Sequence, residues 1–397
     1  MNPDLALLHP YPFEKLRQLK QDVEAPAGLP HIALSIGEPK HPAPHFVVES
    51  LIAHTHQLSQ YPLTRGSEAL REAMAGWLNR RFELGGRMTA EQVLPVNGTR
   101  EALFAIAQCI VDRSAQRPLV MMPNPFYQIY EGAALLAGAE ARYLPCRAET
   151  GFMPDFDAVS DADWDDCQLV YLCTPGNPTG AVMDIEALQR LIRLADAHDF
   201  VIVSDECYSE IYFDEDAPPP GLLQAARAMG RDGFERCLVF HSLSKRSNLP
   251  GLRSGFVAGD GELIERFLLY RTYHGCAMPP ATQSASISAW NDEAHVRANR
   301  ELYRQKFDAA LEILADNLAP ERPDAGFYLW ARTPIDDREF ARRLYAEQNV
   351  TVLPGQFLSR EIEGHNPGSG FVRMALVAPV DECREAAERI ARFARTL

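Results

Sequence analysis

A chain of 397 residues, 46% of them apolar and 23% charged, holds more apolar material than one core usually organises, so two domains are expected. A formal net charge of -15 without any basic stripe argues against a nucleic-acid partner, whose phosphates need clustered Lys and Arg. No run approaches the roughly 18 apolar residues of a membrane span, and residues 1–30 lack a charged stretch leading into an apolar one, so the cytoplasm is the expected compartment and no membrane partner is expected.

The predicted elements follow in chain order. Residues 1–45 are rich in Pro and aromatics and show no period, so this segment is expected to pack on a second domain or on a partner subunit rather than fold alone. Strand-like apolar runs at 118–122, 169–173, 201–204, 238–241 and 255–258 alternate with amphipathic stretches at 101–111, 127–136 and 185–198. In the last of these, Leu188, Leu191, Ile192 and Ala195 recur at helical spacing and form one apolar face. Over 46–284 the alternation predicts a large α/β domain with a mostly parallel central sheet covered by helices on both faces. Ligands bind such sheets beyond the carboxyl ends of the strands. From 285 to 397 the pattern changes to a long helix at 295–318, short apolar groups at 327–330, 350–354 and 371–376, and a terminal helix. A smaller α+β domain is expected there. The eight cysteines never form CxxC, and no His/Cys/Asp/Glu group has zinc-like spacing, so reduced thiols and no metal are expected.

The run SLSKRSNLPGLRSG (242–255) is densest in chemistry. A lysine nucleophile needs a lowered amine pKa and a carbonyl to attack. A phosphate beside Lys245 would need the hydroxyl and guanidinium donors that Ser242, Ser244 and Arg253 offer. The alternative is a surface turn with solvated basic residues. Other loops carry weaker signals. Asn97-Gly98-Thr99-Arg100 leads into a helix and offers backbone N–H groups to an anion, or else simply caps the helix. In Asn124-Pro125-Phe126-Tyr127 the tyrosine stacks on a flat ring or belongs to the core. The turn TPGNPTG fixes where Asn177 points. Asp205 ends a buried strand, where a carboxylate needs a cation, and Tyr208 follows three residues later. Arg373 lies inside an apolar strand and pairs either with an internal acid or with a substrate carboxylate.

Taken together the motifs IGEPKHP, QYPLTRG, NGTREAL, NPFY, TPGNPTG, SDECY, SLSKRSNLPGLRSG and FVRMAL resemble those of the fold-type I, pyridoxal-phosphate-dependent class I/II aminotransferases over the whole chain. IGEPKHP and YRTYHG resemble the bacterial N-succinyldiaminopimelate aminotransferases of lysine biosynthesis. The resemblance implies pyridoxal 5′-phosphate as cofactor, with Lys245 as the Schiff-base lysine. Asp205 is implied to face the pyridine nitrogen, where the cationic ring should hold its pKa low. Asn177 and Tyr208 are implied to meet the ring hydroxyl, and Tyr127 to stack on the ring. Gly98, Thr99, Arg100, Ser242, Ser244 and Arg253 are implied to hold the phosphate. Tyr61 is implied to reach the neighbouring subunit's phosphate, which makes a homodimer with shared sites the active unit. Arg373, Asn177 and the Gly37 backbone are implied to take the substrate α-carboxylate. Amino-acid and keto-acid substrates follow, glutamate and N-succinyl-2-amino-6-ketopimelate in this branch. Lys40, His41, Arg271 and His274 are candidates for reading the distal end of the substrate. Ser254 departs from the apolar residue usual after the arginine.

Rival readings stay open on the residues alone. Ser242-Leu243-Ser244-Lys245 fits SxxK, but the SDN and KTG elements that accompany that motif are missing. A regulator on the same fold would need a basic DNA-binding module. Within the cofactor class, aspartate-, aromatic- or alanine-type transamination and β-elimination share the constellation.

Overall fold

The computed structural model describes residues 1–397. Seven strands form the central sheet: β1 (Val93–Val96), β2 (Leu119–Asn124), β3 (Glu140–Pro145), β4 (Cys167–Cys173), β5 (Val201–Asp205), β6 (Cys237–Ser242) and β7 (Gly255–Gly259). Their spatial order is β1-β7-β6-β5-β4-β2-β3, and every pairing is parallel except the two that β7 makes. The inner strands read as apolar runs because both faces are covered, whereas the edge strand β3 carries Glu140 and Arg142 and is mostly exposed or half-buried. Alternate residues go to opposite cores: Ile202 and Val239 join the cluster on one face, while Val203, Leu238 and Phe240 join that on the other.

The expected elements are found with shifted ends. The helix α2 (Thr99–Ile110) starts two residues before the expected stretch, because Gly98 leaves the chain at φ 85° and the helix begins at once. By contrast α3 (Ile129–Ala137) starts later than expected, after the turn at Phe126–Gln128. The amphipathic α4 spans Ile185–His198 and buries Leu188, Leu191, Ile192 and Ala195. Strand β5 gains Asp205 and β6 gains Cys237 and Ser242, which puts the polar residues at the strand ends.

In the C-terminal part, β8 (Tyr328–Arg332), β9 (Leu353–Pro354) and β10 (Phe371–Ala375) form an antiparallel sheet in the order β9-β10-β8. Two helices, α6 (Ala294–Leu314) and α7 (Val380–Ala394), share its apolar core. The expected single strand at 350–354 is two pieces, because Val350–Thr351 pairs with Ile32–Ala33 before the chain turns into β9. The N-terminal helix α1 (Pro12–Leu19) inserts Leu16 among Trp330, Leu353, Leu358 and Phe371. No helix is long and apolar enough to cross a membrane.

Candidate active site

The site lies beyond the carboxyl ends of β5 and β6. Because β7 runs the other way, its first residue pairs with Ser242, which brings the preceding Arg253 to the same end of the sheet. A cavity of about 710 Å³ opens there, closed on its far side by Ile36–Glu38, Tyr328 and Arg373. It brings together Gly37, Thr99, Arg100, Tyr127, Asn177, Asp205, Tyr208, Ser242, Ser244, Lys245, Arg253 and Arg373. These positions lie up to 336 residues apart in sequence (373 minus 37).

Lys245 sits in the four-residue helix α5 (Leu243–Arg246), which Ser242 caps by accepting from the Ser244 N–H at 3.1 Å. Its Nζ donates to the Gly37 carbonyl at 2.6 Å, and no carboxylate reaches it. Burial lowers its pKa from 10.5 to about 8. At Gly37 a Cβ would overlap the Tyr328 hydroxyl, so only glycine lets this segment lie against the cavity.

Asp205 is buried and accepts hydrogen bonds from the Tyr130 hydroxyl at 2.7 Å and the Cys207 N–H at 3.3 Å. The expectation of a lowered pKa is not met by the protein's own groups. Burial raises the Asp205 pKa, because no cation in the chain pairs with it. A cationic ring nitrogen would supply the charge that this buried carboxylate lacks. Tyr208 is buried with its hydroxyl 3.1 Å from that of Tyr328.

The β1–α2 loop is built around Arg253. Gly98 has φ 85°, and a Cβ there would overlap the Arg253 guanidinium, so glycine is required twice over. Arg253 itself has φ 55° and donates from Nη1 to the Pro250 carbonyl at 2.8 Å. The first N–H groups of α2 have no partner within the helix, and Thr99 at its start lines the cavity together with Ser242 and Ser244. Arg100 differs from expectation: its side chain turns to the cavity mouth, donating to Tyr127 Oη at 2.6 Å and Tyr11 Oη at 3.2 Å. Tyr127 lines the cavity, with its hydroxyl in that contact rather than a free core position.

Arg373 is buried in β10 and finds no internal acid. It donates from Nη1 to Asn177 Oδ1 at 2.9 Å and from Nη2 to the Ser35 carbonyl at 2.7 Å, while Nε lacks any partner. Its guanidinium lies 4.3 Å from the Tyr328 ring centre. A planar anion would fit such a guanidinium.

Several expected contacts do not reach the cavity. Arg271 is fully buried and pairs with Glu101 at 2.8 and 2.9 Å, and Glu101 in turn accepts from the Asn97 N–H at 3.0 Å. It therefore braces the β1–α2 loop instead of reading substrate. His41 lies between Asn299 and Lys306. Lys40 stands 3.6 Å from Glu382, and exposed His274 meets Cys276. Tyr61 is fully exposed and does not line the cavity of its own chain. Ser254, the departure after the arginine, is buried and accepts from the Ser286 hydroxyl at 2.7 Å.

Residues that the sequence reading missed also contribute. Tyr130 holds Asp205, Tyr328 backs both Tyr208 and Arg373, and Cys207 contacts Thr99 Oγ1 at 3.1 Å. Tyr130 had a signal, since it follows Tyr127 by three residues at the start of α3.

Comparison with known proteins bears on this arrangement. The family model described as aminotransferase class I and II matches residues 30–390. An aminotransferase structure from Neisseria meningitidis is 48% identical, covers the whole of both chains and superposes with a TM-score of 0.95. The LL-diaminopimelate aminotransferase of Maridesulfovibrio salexigens is 32% identical over 395 residues, 98% of each chain. A probable N-succinyldiaminopimelate aminotransferase from Thermus thermophilus is 28% identical, covers 96% of this chain and 99% of its own, and has a TM-score of 0.84.

Proposed function

Since the chain belongs to the class I and II aminotransferases, which work with pyridoxal 5′-phosphate, we propose that it moves an amino group between glutamate and N-succinyl-2-amino-6-ketopimelate. It would do so as a homodimer with shared sites. The observation that carries the proposal is that two cations, the half-buried Lys245 and the buried Arg373, face one cavity without a carboxylate partner.

When bound, the cofactor supplies a carbonyl for an amine to attack and an electron sink for the pair released at the substrate α-carbon. Asp205 would hold a cationic ring nitrogen, since its buried carboxylate lacks the cation that burial calls for. Gly98, Thr99, Arg100, Ser242, Ser244 and Arg253 would hold the phosphate, Arg100 through its backbone N–H at the start of α2. Tyr208 and Asn177 would meet the ring hydroxyl, and Tyr127 the ring face.

Lys245 is the base of the site. With its pKa lowered to about 8 it gives up its proton far more readily than an ordinary lysine, and its Nζ would take the α-carbon proton and deliver it to the carbon on the other side of the transferred nitrogen. Arg373, Asn177 and the Gly37 backbone would orient the α-carboxylate, which fixes the bond to be broken.

At the mouth, Arg100 has two phenols and no acid for partners, which favours an anionic distal group such as a succinyl carboxylate. A second reading has a specific observation behind it. Glu38 also lines the cavity, and a carboxylate there favours a free distal ammonium, as in the substrate named for the LL-diaminopimelate aminotransferases. The test is kcat/KM over a panel of keto-acid acceptors, with glutamate as donor for the pimelate acceptors and aromatic amino acids or alanine as donors for 2-oxoglutarate. The succinylated acceptor should lead. A wide lead for the unsuccinylated acceptor selects the second reading. A lead for 2-oxoglutarate with aromatic or alanine donors removes both and leaves the transaminase.

A further inference from the structure

Lys306 is fully buried in α6, yet no carboxylate reaches it. Its Nζ donates to His41 Nε2 at 2.5 Å and to the Val377 carbonyl at 3.2 Å, and it lies 4.6 Å from the Tyr303 ring centre. An unpaired ammonium in a core is costly, and simple packing needs none. Burial lowers its pKa from 10.5 to about 8, with Cys383 opposing and Lys40 adding to the shift.

The hydrogen bonds continue in one consistent direction. With Nε2 accepting from Lys306, His41 carries its proton on Nδ1 and donates to Asn299 Oδ1 at 2.8 Å. Asn299 Oδ1 also accepts from Asn248 at 2.8 Å, and its Nδ2 donates to the carbonyls of Lys245 and Arg246 at 3.4 and 3.5 Å. His41 closes the segment 35–41, whose other end is held by Arg373 at the Ser35 carbonyl and by the Ala375 N–H at Leu34. Between these ends lie Gly37, whose carbonyl meets Lys245, and Glu38 on the cavity wall.

We propose that Lys306, His41 and Asn299 form a positioning clamp for the transamination site, pinning the segment 35–41 across the cavity and tying it to the backbone of Lys245. Lys306 touches no reacting atom and acts through His41. The clamp explains why IGEPKHP carries a histidine that never enters the cavity. It rests on Lys245 as the catalytic lysine, a dependence the test separates.

The variants are Lys306→Met and His41→Phe in the full chain, with three readouts: melting temperature, kcat/KM for the amino donor, and the rate at which a lysine-specific protease cuts after Lys40. Lys306→Met should melt at or above the wild-type temperature, since a buried unpaired charge is gone. Cleavage after Lys40 should nevertheless speed up about tenfold, and kcat/KM should fall about tenfold. The double variant should lose no more than the worse single one, because one clamp is broken either way. Cleavage within about twofold of wild type overturns the clamp, as do faster cleavage with unchanged kcat/KM and losses that multiply in the double variant. If Lys306→Met fails to fold, Asn299→Ala carries the same readouts. An active Lys245→Ala enzyme would remove the lysine's role while leaving the cleavage result to judge the clamp.

Discussion

The Tyr130 hydroxyl donates to the Asp205 carboxylate at 2.7 Å, and both groups are buried at the end of the central sheet. The phenol stabilises the carboxylate without neutralising it, so the acid stays short of a cation. Asp205→Asn keeps the shape and removes the charge. Each pKa unit of ring basicity is worth about 1.4 kcal/mol, so several units should cost at least about a hundredfold in kcat. Tyr130→Phe removes one hydrogen bond to a charged group and should cost less, about tenfold. Single-turnover rates on the loaded variants check the ranking, and an Asp205→Asn enzyme within about tenfold of wild type contradicts the role.

Arg373→Lys keeps the charge but loses the planar fork that Asn177 and Ser35 orient. Its kcat/KM should fall about a hundredfold for every amino acid tested, while cofactor absorbance stays normal. A loss confined to one substrate would move Arg373 from the shared α-carboxylate to the distal end.

Lys245 predicts an effect on the cofactor-free protein as well. Its folded pKa, about 8, lies below the ordinary 10.5. Between those values the unfolded chain binds more protons, so this group's contribution to stability rises with pH. Below pH 8 the full penalty of the buried charge is present, on the order of 2–4 kcal/mol. Cofactor-free Lys245→Met should therefore melt higher than wild type at pH 7, with the gap closing towards pH 10.5. Melting curves across that range are the check, and a gap that does not narrow contradicts the shift.

Much of this site was legible because turn chemistry marks where strands end. Prolines and glycines fence the loops holding Asn177, Gly98 and Arg253, and a single acid or arginine inside an apolar run flags Asp205 and Arg373. What stayed hidden is pairing across long separations. Arg271 finds Glu101 170 residues away and His41 finds Asn299 258 residues away, and no local pattern announces either. Both looked like free cationic groups in the motifs that hold them. The fate of Arg100 was hidden for the same reason, since Tyr11 comes from the aperiodic N-terminal segment.

Tyr61 is fully exposed on its own chain. If it completes the neighbour's site, mixing inactive Lys245→Ala with inactive Tyr61→Ala should restore activity, because half of the hybrid sites keep both residues. Demonstrated subunit exchange without recovery counts against shared sites.

In the proposed reaction Lys245 carries the cofactor. The chain has five lysines, at positions 15, 20, 40, 245 and 306, and Lys245 alone among them lines the cavity. Borohydride reduction of the loaded protein, followed by peptide mass mapping, reads the attachment directly. The phosphopyridoxyl mass should appear on the peptide containing Lys245, with Lys306 unmodified. Stoichiometric label on any other lysine, or none on Lys245 after full loading, would contradict it.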